Sequence, residues 1–177
     1  TNPRNLAFDQ DGNLYATNDW SNNISKITPS GVSTIFATTW TDPFDLIFDQ
    51  DGNLYVSNNG SNNISKITPS GVSSIFATTW TWPHDITIWP DNNIYVANLW
   101  SNNISKITPS WVSSIFATTW TVPLDIIFDT SWNLYATNYW SNNISKITPS
   151  WVSSIFATTW TNPRNLAFDQ DGNLYAT

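Results

Sequence analysis

A 40-residue block runs through this 177-residue chain four times, from Thr1, Thr41, Thr81 and Thr121, and begins a fifth time at Thr161. Residues 161–177 are identical to residues 1–17. A fixed period of this length constrains the fold more than any local signal. Each repeat is one supersecondary unit that hides its apolar face only against its neighbours. The chain is therefore expected to form a single repeat domain over 1–177. Its units are 1–40, 41–80, 81–120 and 121–160, with a half-unit at 161–177.

Four short strand patterns fit inside each unit. In the first copy they are Leu6-Ala7-Phe8, Asn13 to Thr17, Asn23 to Ile27, and Val32 to Ala37. All are rich in β-branched and aromatic residues and all are bounded by turn residues. Asp9-Gln10-Asp11-Gly12 suits a tight hairpin between the first two, because an Asp-Gly step tolerates positive φ. Thr28-Pro29-Ser30-Gly31 suits the reversal between the last two, where Pro presets φ and Gly permits the turn. No stretch shows sustained helical periodicity. Four antiparallel strands in about 40 residues is the size of one β-propeller blade. The expected fold is all-β: a propeller of four-stranded antiparallel blades, with four full repeats and a half repeat.

The run P-x-x-L-x-F-D-x-D-G-N-L-Y-V-x-N-x-G-S-N-N-I-S-K-I-T-P-S-G, clearest in residues 43–71, resembles the NHL repeat. Bacterial NHL and YVTN-type propellers and the virginiamycin B lyase-like group share it. The resemblance covers the whole chain and implies the propeller fold. It implies little about activity, since such families include ligand-binding scaffolds, assembly modules and a few enzymes.

Composition removes several function classes. The formal net charge is −7, with six basic residues against 13 acidic ones, all Asp. The four lysines, Lys26, Lys66, Lys106 and Lys146, share one repeat position and form a spaced ring rather than a patch. Nucleic acid is therefore not an expected partner. Cysteine is absent, so neither disulfides nor thiol chemistry arises. No apolar run is long enough to span a membrane, and no basic-then-apolar leader opens the chain. Few charges with abundant Asn, Ser and Thr point to a secreted or cell-surface bacterial protein.

Twelve tryptophans stand mostly where glycine belongs. The twentieth repeat position holds Trp20, Gly60, Trp100 and Trp140. The thirty-first holds Gly31, Gly71, Trp111 and Trp151, and at the twelfth Trp132 replaces Gly12 and Gly52. The fortieth holds Trp40, Trp80, Trp120 and Trp160, where the resembling propellers carry Gly. Trp89, ahead of Pro90-Asp91, also reads as a glycine site, whereas Trp82 occupies a freely variable position. A turn that needs positive φ accepts Gly and strains a bulky residue. Two readings stand open. In one, the indoles form aromatic rims for sugars or other subunits. Alternatively these are glycine positions, as in a gene whose UGA codons encode glycine but are rendered as Trp.

Candidate binding residues follow from where the repeats differ. The start of the first strand carries Asn5, Asp45, Asp85, Asp125 and Asn165, which would ring the mouth of a central channel and either hold a cation or polar ligand or cap strand ends. Just before them stand Arg4, Phe44, His84, Leu124 and Arg164. The loop between the second and third strands carries Asp19, Asn59, Leu99 and Tyr139. In a propeller both sets lie on one face, and variation on a rigid scaffold is how binding loops are built.

The Asp9-to-Asn13 loop and its copies have a calcium-loop flavour but lack a distal Glu, and read better as hairpin turns with Asx bonds. Asn23-Ile24-Ser25 and its copies match a glycan acceptor pattern and read better as strand starts. A lone His84 cannot make a multi-His metal site, and no Ser-His-Asp set is legible. No metal or cofactor is called for.

These observations predict a non-catalytic binding or assembly scaffold, with a glycan or a protein as ligand. A self-assembling ring or fibre subunit is the alternative, and a lyase- or lactonase-like enzyme the third reading. Self-association through 161–177 and 1–17 is expected, since the two segments compete for the same pairing site.

Overall fold

A computed structural model describes residues 2–89 and 91–177. The first repeat forms β1 (Pro3–Phe8), β2 (Leu14–Asn18), β3 (Asn23–Ile27) and β4 (Ser33–Thr38), hydrogen-bonded in that order as an antiparallel meander. The second repeats it with β5 (Pro43–Phe48), β6 (Leu54–Asn58), β7 (Asn63–Ile67) and β8 (Ser73–Thr78). The third has β9 (Pro83–Ile88), β10 (Ile94–Asn98), β11 (Asn103–Ile107) and β12 (Ser113–Thr118). The fourth has β13 (Pro123–Phe128), β14 (Leu134–Asn138), β15 (Asn143–Ile147) and β16 (Ser153–Thr158). Residues 161–177 contribute a two-stranded sheet, β17 (Leu166–Phe168) and β18 (Leu174–Ala176). The protein is a β-propeller of repeats, as the period predicts, with inner strands β1, β5, β9, β13 and β17 side by side in sequence order.

The inner strand is longer than the Leu6–Phe8 pattern suggests. It starts at Pro3, whose pairing with Asn18 is separated by an irregularity from the regular register at Leu6. Strand β6 is buried on both faces, so the alternation of a one-sided strand is lost. Tyr15, Ile24 and Ala37 of the first blade pack on Leu46, Leu54, Val56 and Ile67 of the second, and equivalent clusters join the second blade to the third and the third to the fourth. Edge-on aromatic pairs lock these seams, as with Tyr15 and Phe48 at 5.0 Å. The half-blade covers the fourth blade in the same way, with Leu166, Phe168 and Leu174 on Tyr135 and Ile144. It does not pair with β3 or β4, which stay in the first-blade sheet, β3 between β2 and β4 and β4 at its edge.

Each turn between the first two strands is tied by one carboxylate. Asp129 accepts from the Ser131 and Asn133 amides, the Asn133 carboxamide and the Tyr135 hydroxyl. Burial would raise its pKa, but these donors outweigh burial and hold it below the usual range. This carboxylate is committed to the turn, as the Asx reading expects. At the third blade Trp89 takes the position of this Asp. Asp91 replaces it, accepting from both the amide and the carboxamide of Asn93. The left-handed residue of that turn is Asn92, at φ 62°. Trp89 is therefore an aspartate position, not a glycine one, and its indole packs on Phe128 and Trp132.

Candidate functional site

Two loops from each repeat meet on one side of the propeller, which we call the mouth face: the loop entering the inner strand and the loop between the second and third strands. The repeated Ser-Asn-Asn-Ile-Ser motif builds it. Asn22 sits at φ 50° and its carboxamide oxygen accepts the Asp42 amide at 3.0 Å. Asn62 does the same for Trp82, and Asn102 for Val122. Asn58 donates to Asn63 Oδ1 and Ser65 Oγ, both at 2.8 Å. The asparagines of the acceptor-like pattern are thus structural partners at the start of the third strand, buried in the second, third and fourth blades, as expected from their position.

The mouth face holds a cleft of about 260 Å3, lined by Arg4, Asp19, Asp42, Phe44, Asn59, Trp82, His84 and Leu99. Six of these eight belong to the set singled out because the repeats differ there. They come from three consecutive blades. Arg4 grips Asp19 through Nε at 2.8 Å and Nη2 at 2.6 Å. Its guanidinium lies 5.8 Å from the Phe44 ring centroid, and that ring lies 3.8 Å from the His84 imidazole. Asp42 and Trp82 escaped the sequence reading. Both occupy the second repeat position, filled elsewhere by Asn2, Val122 and Asn162, so the same variability could have found them.

The remaining candidates lie elsewhere. Asp45, Asp85 and Asp125 run along the inner edges of the blades, half-buried and packed by protein on most sides. Each reaches across a seam: Asp45 accepts the Ile86 amide at 3.0 Å, Asp85 the Ile126 amide at 2.8 Å, and Asp125 the Leu166 amide. They stitch neighbouring inner strands together. Burial first, and then its two carboxylate neighbours, push Asp85 well above the usual range. Asn5 bonds through its backbone amide to Thr17 Oγ1. Tyr139 lies under the Arg164 guanidinium, 4.9 Å from its ring centroid, one blade away from the cleft.

His84 and Leu124 are explained by a second ladder. Thr17, Ser57 and Thr137 each donate a hydroxyl to a carbonyl of the next blade, namely Phe44, His84 and Arg164. The third blade has Ala97 at this position, which leaves the Leu124 carbonyl without a hydroxyl. The His84 Nδ1 lies 2.8 Å from that oxygen. A carbonyl only accepts, so the neutral ring carries its proton on Nδ1. Burial pushes the His84 pKa down to about 4, with Arg4 and Arg164 adding to the effect.

The lysine ring is likewise committed: Lys26, Lys66 and Lys146 stand 5.3 to 5.4 Å from the tyrosine ring centroids of their own blades, and Lys106 stands at 5.9 Å. Among the described residues no group of three or more His, Asp or Glu is arranged to hold a metal ion, and no helix is long and apolar enough to cross a membrane. A larger cavity of about 670 Å3 lies between the fourth blade and the half-blade, lined by Asp129, Tyr135, Phe156 and Gly172 among others. The equivalent groove between the first two blades, closed by Pro69 and Lys26, measures only about 300 Å3. The larger volume reflects the two-stranded state of the fifth unit, and its aspartates are tied into turns. The mouth-face cleft is the better site.

No protein-family model matches the sequence and no curated protein matches it. Many solved structures share its fold. Virginiamycin B lyase from Staphylococcus aureus superposes with a TM-score of 0.89 at 22% identity, covering 99% of this chain and 63% of the lyase. A structure of the nidogen/laminin complex gives 0.84 at 19% identity, covering 99% of this chain and 71% of that one. A gluconolactonase-like protein gives 0.77 at 16% identity over 99% of this chain and 70% of that chain. The chain thus spans less than two thirds of the lyase's length. At these identities the likeness establishes the propeller fold, which enzymes and binding proteins both use.

Proposed function

We propose that the chain is a non-catalytic binding or assembly scaffold, secreted or displayed at the cell surface, whose ligand contacts lie on the mouth face. One observation carries this reading: side chains that differ between otherwise near-identical repeats come from three blades to line a single cleft. The commitment of the only histidine to a backbone carbonyl supports a non-catalytic role, as does the lack of any Glu. The likeness to a structure of the nidogen/laminin complex, two proteins bound to each other, supports a protein ligand.

The test is a screen of glycans, metabolites and peptides against three proteins: the parent chain, a cleft variant (Phe44→Ala with Leu99→Ala), and a ladder variant with Asp45, Asp85 and Asp125 changed to Ala. Binding should be lost in the cleft variant. It should persist in the ladder variant, which should melt earlier. Binding that survives in the cleft variant would remove the reading.

Self-assembly is the second reading. Leu6 and Phe8 of β1 are 60% and 68% exposed, whereas Leu46, the copy of Leu6, is 4% exposed under the preceding blade. Faces of this kind need cover, from a flanking repeat or a second copy. Light scattering over a concentration series should show mass rising with concentration, and less so for Phe8→Ser. A constant monomer mass would end the second reading.

A further inference from the structure

Charge in the mouth-face cleft is unevenly shared. Asp19 is satisfied, since one of its oxygens accepts from Arg4 Nε, Arg4 Nη2 and the Asn2 carboxamide. Asp42 forms no ion pair among the described residues, and its carboxyl lies within hydrogen-bonding reach of the Asp19 carboxyl rather than of a cation. Partial burial first, and then the Asp19 carboxyl through its charge and a side-chain hydrogen bond, hold the Asp42 carboxyl above its usual range, with Arg4 pulling the other way. Two carboxylates therefore face one guanidinium, and the neutral His84 adds no positive charge near pH 7.

Asn59 makes an independent demand. It lines the cleft, is only 8% exposed, and its Oδ1 accepts no hydrogen bond. A buried carbonyl oxygen without a donor costs about 1–3 kcal/mol. The remaining walls are aromatic or apolar: Phe44, Trp82 and Leu99. Phe44 already lies near one cation, Arg4.

Gly60 keeps Asp42 where it is. A Cβ at that position would lie 2.6 Å from Asp42 Oδ2, and the other three repeats have Trp there. The space of about 260 Å3 is below the roughly 300–1,000 Å3 of sites that enclose drug-sized ligands, so it suits one functional group rather than a whole large ligand.

We infer that this cleft takes a single organic cation, a primary ammonium or guanidinium group such as the end of a Lys or Arg side chain. Asp42 is its ion-pair partner, Asn59 its hydrogen-bond acceptor, and Phe44 and Trp82 its aromatic walls. The net charge of −7 favours the approach of such a group. The inference rests on the scaffold reading and adds to it the chemistry of the ligand.

The test titrates the isotope-labelled full chain by amide NMR. The cationic probes are arginine amide, lysine amide and a Gly-Gly-Arg-Gly-Gly peptide. The neutral probes are citrulline amide, norleucine amide and maltose. Cationic probes should shift the amides of Asp42, Asn59 and Trp82 and bind at least tenfold tighter than their neutral isosteres. Asp42→Asn, whose side chain is exposed and whose fold is checked by an unchanged melting curve, should lose at least tenfold. Peptide binding equal to that of arginine amide supports a protein partner, and binding of the amides alone supports a small amine; both keep the cationic class. Equal binding of neutral and charged probes, or of maltose alone, overturns the cationic ligand and leaves the scaffold standing. No shift at the cleft with any probe overturns the cationic ligand, and the scaffold reading is then decided by the cleft and ladder variants in the broader screen.

Discussion

On the side opposite the mouth, the hairpin turns of every repeat place one residue in the left-handed region, and glycine is the usual occupant. Gly12, Gly52 and Gly172 have φ near 80°, and Trp132 stands at the same place with φ 66°. Gly31 and Gly71 have φ 84° and 83°, and Trp111 and Trp151 follow with 70° and 67°. The mouth face also holds left-handed residues, but none of them is glycine in any copy. Asp42, Trp82 and Val122 lie at φ 56°, 60° and 53°. Each is held by a carboxamide oxygen from the Asn of the preceding blade. The hairpin face obeys a backbone requirement that tryptophan violates. The mouth face sustains strain in side chains of several kinds, and two of them line the cleft. Left-handed backbone kept without glycine where the side chains vary accords with the proposed binding surface.

The sharpest way to break this contrast is to extend the violation. A Cβ on Gly71 would lie 2.7 Å from the Phe36 carbonyl oxygen, and its φ of 83° already favours glycine. Gly71→Trp should therefore destabilise the chain by about 3 kcal/mol or more in a denaturant titration. An unchanged midpoint would mean the turn relaxes freely and glycine is not required there.

Acid sharpens the mouth-face side. The folded-state pKa of His84 is about 4 against an ordinary value near 6.5. Between these limits the unfolded chain holds a proton that the folded chain does not, so this group's contribution to stability falls as the pH drops. The loss from pH 7 to pH 4 should approach roughly 3 kcal/mol. The raised carboxyls of Asp45 and Asp85 act the other way. The comparison is therefore with His84→Gln, relative to which the parent should weaken on acidification. Parallel pH profiles would contradict the buried neutral imidazole. A smaller effect follows from the carbonyl that His84 serves. His84→Phe should cost about 1–3 kcal/mol by leaving the Leu124 oxygen unpaired. Ala97→Ser should recover most of that loss, because the serine restores the ladder of Thr17, Ser57 and Thr137.

The repeat period made the blades legible, and the changes between copies pointed to Arg4, Asp19, Phe44, Asn59, His84 and Leu99. What stayed hidden was which varied residues share a space. Asp45, Asp85 and Asp125 stood open between a ligand ring and strand-end caps, because position along a strand does not show that a carboxylate can reach the amide 41 residues on, as Asp45 reaches Ile86. Trp82 passed as free variation because its importance depends on a neighbouring blade. The role of His84 required seeing that Ala97 lacks a hydroxyl one blade from the carbonyl it would serve.

The mildest test applies one substitution on each face and expects opposite signs. Trp111 is 70% exposed and left-handed at φ 70°. Replacing it with Gly relieves about 1–2 kcal/mol of left-handed strain, offset in part by the greater freedom of glycine in the unfolded chain. A net gain of about 0.5–1 kcal/mol is expected. Trp20 is similarly exposed, but its backbone lies outside the left-handed region. Trp20→Gly relieves nothing and adds unfolded-state entropy, so it should lose about 0.5–1 kcal/mol. Matched denaturation curves distinguish the outcomes. Gains at both sites would extend the glycine requirement to the mouth face, whereas losses at both would show that indole packing, rather than backbone geometry, governs the tryptophans of the hairpin turns.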